Sequence, residues 1–82
     1  MEKNFLSTAQ VFVITNIESL ISIFYNDPEG TFKQITKSID EHKIAEHEET
    51  MLYLYELLLS KGYSEHAEEF AKKFNIQKEK SC

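Results

Sequence analysis

The stretch Leu54-Tyr55-Glu56-Leu57-Leu58-Leu59-Ser60-Lys61-Gly62-Tyr63-Ser64-Glu65-His66-Ala67-Glu68-Glu69-Phe70 decides the fold. Leu54 and Leu58 stand four apart before the glycine, and Ala67 and Phe70 three apart after it, which predicts a helix on each side. Gly62 suits the left-handed conformation that closes a helix, and Ser64 is placed to cap the next one. The first of these helices extends back to about Ile44, because Ile44, Met51 and Leu58 are each seven apart. Tyr55, Leu57 and Leu59 add to its apolar surface. The second carries Tyr63, Ala67, Phe70, Ala71 and Phe74 on one face, and the tail Gln77–Cys82 is expected to fray.

This helix–glycine–helix stretch resembles the LisH (lissencephaly-type homology) motif. The family pattern has an aliphatic residue eight before the glycine, a leucine four before it, an aromatic directly after, a small residue at five and a phenylalanine at eight. Leu54, Leu58, Tyr63, Ala67 and Phe70 stand at those places, and Ile76 fits an apolar position further on. Leu57 and Lys73 depart from it, since many members have an aromatic and a glutamate there, and the motif usually lies near an N-terminus. The resemblance implies a helical hairpin, about residues 44–76, that homodimerises through Leu54, Leu58, Tyr63, Ala67, Phe70 and Phe74. Size points the same way, because a chain of 82 residues buries only about 60% of the surface its unfolded form exposes.

Upstream of the hairpin, Leu6, Ala9, Val13, Ile17, Leu20, Ile21 and Phe24 repeat at steps of three and four, predicting a first helix. Val11, Phe12, Ile14 and Ile23 widen its apolar surface, so it is either central to the fold or shared with another chain. Asn26-Asp27-Pro28-Glu29-Gly30 stops it. A second helix follows on the stripe Phe32, Ile35 and Ile39, with a break or kink near Ser38–His42, where Ser38-x-x-Glu41 reads as a capping box. The expected fold is all-α: one domain over 1–82, a small bundle of three to four helices ending in the hairpin, dimeric.

The chain has 9 Lys+Arg against 14 Asp+Glu, a formal net charge of −5. An acidic balance argues against binding a phosphate backbone, which needs clustered cations to displace counterions. Lys72, Lys73, Lys78 and Lys80 form a basic cluster that suits the C-terminal end of a final helix. The stretch Glu68–Ile76 also resembles the first half of a helix-turn-helix, but only Gln77–Cys82 follow it, so no nucleic-acid partner is expected. The one cysteine, Cys82, forms no internal disulfide and points to an intracellular, cytoplasmic setting. The first apolar segment is broken by Thr15, Asn16, Glu18 and Ser19, so neither a membrane span nor an export signal is expected.

Chemistry-bearing patterns are sparse. His42, Glu46 and Glu49 follow at steps of four and three and are expected to share a helix face, yet read as solvated surface rather than metal ligands. No nucleophile elbow or glycine-rich phosphate loop occurs, and the expectation is a non-enzyme without cofactor or metal. The leading reading is a non-enzymatic interaction and homodimerisation module. Its alternative is a small acidic regulator or inhibitor, of the phage or plasmid type, that occupies a basic site on an enzyme or nucleic-acid-binding protein. The expected partners are a second copy and an unidentified protein met by Glu46, Glu49, Tyr53, Glu65, Glu68 and Glu69.

Overall fold

Ser7 opens the first helix through a reciprocal pair of hydrogen bonds with Gln10. The Gln10 backbone N–H donates to Ser7 Oγ at 3.1 Å, and the Ser7 N–H donates to Gln10 Oε1 at 2.9 Å. Two of the N–H groups that a helix start leaves without partners are thereby satisfied. In this computed structural model, which describes residues 5–76, α1 then runs Thr8–Ser22. It is followed by a 3-10 turn Phe24–Asn26, α2 Pro28–Glu41, a 3-10 turn Ile44–Glu46, α3 Glu48–Ser60 and α4 Ser64–Phe74. The described residues are all-α, with no strand, as the three-four spacing predicts. The expected tail Gln77–Cys82, with Lys78, Lys80 and Cys82, lies outside the described residues.

The chain divides into two compact units, Met1–His47 and Glu48–Cys82. The hairpin unit thus begins at Glu48 rather than near Ile44.

In the first unit α1 packs on α2, and both 3-10 turns pack on α2. Ile17, Ile21, Phe24, Ile35, Ile39 and Ile44 are its buried apolar side chains, each at most 1% exposed. Asp27 caps α2 by accepting the Gly30 N–H at 3.2 Å, and Pro28 stands at the helix start, where its missing N–H costs nothing. A Cβ on residue 30 would meet the Asp27 carboxylate, so a side chain there would make the capping carboxylate shift. At the other end α2 runs straight through Ser38, whose carbonyl accepts the His42 N–H at 3.1 Å. The expected capping box at Ser38–Glu41 is therefore not formed. The break falls just after it, where Lys43 takes the left-handed conformation with φ 54°.

The second unit is the helix–glycine–helix hairpin, α3 packed on α4. Gly62, at φ 93°, ends α3: its N–H reaches the Leu59 carbonyl at 3.0 Å and the Tyr63 N–H reaches Leu58 at 3.0 Å. Asn75, at φ 54°, ends α4 in the same way, with the Ile76 N–H on the Ala71 carbonyl at 2.9 Å. Both are the pattern that satisfies helix-end carbonyls around a left-handed residue. Ser64 does not cap α4. Tyr63 occupies the cap position and its side chain does not cap the helix, while its carbonyl accepts the Ala67 N–H at 2.9 Å. The core positions here are Met51, Leu54, Tyr55, Leu58, Ala67, Phe70 and Ala71. Lys72 and Lys73 fall in the last turn of α4, where cations complement the helix dipole.

Candidate interaction surface

The histidine–glutamate constellation does not form. His42 closes α2, Glu46 sits in the 3-10 turn and Glu49 lies in the first turn of α3, three separate elements rather than one helix face. The cause is Lys43, whose left-handed backbone ends the helical phase, and His47, which is extended at φ −101° and ψ 91°. Among the described residues no group of three or more His, Cys, Asp or Glu is arranged to hold a metal ion. No described helix is long and apolar enough to cross a membrane.

The residues assigned to a dimer interface fall mostly in the interior of the single chain. Leu54 and Leu58 are 0% and 1% exposed and Ala67 and Phe70 are both 0%, while Tyr63 and Phe74 are half-buried. The Phe70 ring meets Phe74 edge-on with centroids 5.1 Å apart, and Lys73 Nζ stands 5.4 Å from the centre of the Phe74 ring. Side chains closed to this degree within one chain offer no area to a second copy. The apolar spacing that marks them as needing cover is a core signal here.

The residues assigned to a partner are at the surface. On α3, Glu49, Tyr53 and Glu56 follow at steps of four and three and are all exposed, Tyr53 to 44%. They stand on one side of the helix, away from the buried Met51, Leu54, Tyr55 and Leu58. On α4, Glu65, Glu68 and Glu69 are exposed. Glu68 is also tied into the hairpin, its carboxylate accepting the Tyr55 hydroxyl at 3.1 Å. Between residues 48 and 76 six glutamates face three lysines. Glu46 belongs to the first unit and is set apart from this surface in the chain by His47.

One surface carries a signal that charge-based reading passes over. Val11, Phe12, Ile23 and Tyr25 are 47%, 70%, 47% and 67% exposed. The apolar circumference of α1 is thus only half used inside its unit, where Ile17 and Ile21 are its buried residues. No family model, curated protein or solved structure matches the chain.

Proposed function

We propose that the chain is a non-enzymatic protein–protein interaction module that associates with itself and presents the outer side of the α3–α4 hairpin to a basic protein surface. The observation that carries this reading is Tyr53, a large aromatic 44% exposed on α3 with Glu49 and Glu56 on either side. An aromatic anchor inside a polar rim is the anatomy of a protein interface, where the aromatic supplies affinity and the charges supply rate and register. The LisH-like spacing around Gly62 is taken up in the hairpin's own core, so self-association draws its support from the small core of an 82-residue chain.

A second reading, the acidic regulator or inhibitor that occupies a basic site on an enzyme or nucleic-acid-binding protein, draws on the same glutamate excess over lysine between residues 48 and 76. The two readings differ in what the partner does, not in how it is held. Affinity capture with the full chain as bait, run beside Tyr53→Ala and Glu65→Lys/Glu69→Lys baits, tests both. A protein retained by the wild-type chain and lost from both variants supports the reading. Retention that neither variant alters overturns it.

A further inference from the structure

The outer face of α1 is defined by Thr8, Phe12, Thr15, Asn16, Ser19 and Ile23, which lie opposite the buried Ile17 and Ile21 and are all exposed. Not one of the six is charged. The pattern extends beyond the face, since Glu18 is the only charged residue between Phe5 and Asn26, whereas Asp, Glu, Lys and Arg make up 28% of the chain. A solvated helix ordinarily carries its charges on the side away from the core. Here that side holds a phenylalanine 70% exposed at one end, an isoleucine 47% exposed at the other, and short polar side chains between them. The Thr15 hydroxyl is already engaged, donating to the Val11 carbonyl at 3.0 Å, so covering this part of the face leaves it no unmet bond.

We infer that a second copy of this chain occupies this face, the two α1 helices pairing antiparallel about a twofold axis that passes between Asn16 and Ser19. In that register Phe12 meets Ile23 of the second copy and Asn16 meets Ser19 of the second copy, each contact occurring twice, as a self-complementary interface requires. The inference deepens the proposed self-association by giving it a surface, and it rests on that reading only for the existence of a dimer.

Charge selects the occupant. Two chains of net charge −5 repel, and the contact that brings the fewest carboxylates together is the one through this face, none of whose six residues is charged and whose segment holds Glu18 alone. A basic partner is drawn instead to the glutamates of the hairpin. An anionic bilayer gains nothing here, because the segment from Phe5 to Asn26 has no lysine or arginine to meet its headgroups. Size sets the strength. A helix of 15 residues is about 22 Å long, so two of them bury less than the roughly 800 Å² per partner of a standard stable interface. The dimer therefore separates on dilution.

Sedimentation equilibrium of the full chain over a concentration series, at low and at high salt, tests the inference. The expected result is a reversible monomer–dimer equilibrium that high salt leaves unchanged or strengthens, because salt screens the repulsion between copies. Asn16→Glu places two like charges near the axis and should weaken dimerisation about tenfold or more. It sits on an exposed helix position where Glu is the better helix former, so an unchanged helical circular dichroism spectrum separates lost pairing from lost folding. Phe12→Glu should act in the same direction. A chain monomeric up to its solubility limit overturns both the inference and the self-association reading. A dimer that neither substitution weakens, or that salt dissolves, overturns the α1 interface alone.

Discussion

The Tyr55 hydroxyl donates to the Glu68 carboxylate at 3.1 Å, joining α3 to α4 across the hairpin. Tyr55 is 7% exposed, so its ring belongs to the core while its oxygen reaches the rim. Glu68 therefore has a structural duty that Glu65 and Glu69 on the same helix are not seen to share.

Tyr55→Phe keeps the ring and removes the donor. It should lower the unfolding free energy in urea by about 1.5 kcal/mol, the upper end of the usual range because the acceptor is charged. Glu68→Gln retains an acceptor and should cost less. A double-mutant cycle between Tyr55→Phe and Glu68→Ala should return a favourable coupling; additive effects would mean that the bond contributes nothing in solution.

Phe70 is 0% exposed and packs edge-on against Phe74. Phe70→Ala should cost about 3–5 kcal/mol, the transfer of a ring plus the void it leaves. Phe74, half-buried at the end of the same helix, should cost distinctly less when cut to alanine. Equal losses at the two positions would contradict the placement of α4.

Among the described residues three take a left-handed backbone, each just past a helix: Lys43 after α2, Gly62 after α3 and Asn75 after α4. Nothing lies within 4 Å of where a Cβ on Gly62 would stand, so Gly62→Ala is penalised by backbone conformation alone, at about 1–2 kcal/mol. Lys43 already bears that strain with a side chain. Lys43→Gly should therefore raise the melting temperature while Gly62→Ala lowers it; two changes of the same sign would refute the assignment.

These caps show how far the sequence is legible. The spacing of three and four finds Ile17, Ile21, Phe24, Ile35, Ile39, Leu54, Leu58 and Phe70, because burying one side of a helix forces that period on the apolar residues. It misreads Ile44, whose spacing of seven to Met51 continues a pattern that the backbone does not. Ile44 is buried from a 3-10 turn, and a buried residue need not be in helical phase with its neighbours. The break expected near Ser38–His42 comes at the end of α2, but lysine gives no warning of a left-handed turn as glycine does, so the part played by Lys43 is silent. The capping-box spacing occurs at both Ser7–Gln10 and Ser38–Glu41, and only the first is used. The second lies where α2 is already formed and its N–H groups are already bonded. At the candidate surface, the exposure of Tyr53 and of the glutamates follows from their position off the apolar stripe. For α1 the breadth of apolar residues leaves a central helix and one shared with another chain both open, because exposure is decided by packing that no local pattern records.

Gln10 acts at both ends of the first unit. Its Oε1 accepts the Ser7 N–H, and its Nε2 donates to the His42 carbonyl at 2.8 Å, tying the start of α1 to the end of α2. Ser7→Ala should cost about 0.5–2 kcal/mol through the cap alone. Gln10→Ala loses both contacts and should cost more, with faster amide exchange at the start of α1 and at the close of α2. Were exchange altered only near Ser7, the contact to His42 would be without weight.

Charge reversal on the hairpin separates steering from packing. Glu65 and Glu69 are exposed on α4, so Glu65→Lys/Glu69→Lys should leave stability nearly unchanged, whereas reversal at Glu68 also breaks its bond to Tyr55. For a captured basic partner, the double reversal should mainly slow association, and raising salt should slow the wild type toward the variant, because exposed charges beyond about 8 Å are largely screened at physiological ionic strength. Tyr53→Ala should instead speed dissociation, since a 44% exposed aromatic supplies contact area rather than a long-range field. Stopped-flow or surface binding kinetics resolve the two rates. If Tyr53→Ala abolishes binding and the reversals leave the association rate and its salt dependence untouched, the acidic face is not the working surface, and an apolar docking site centred on Tyr53 takes its place.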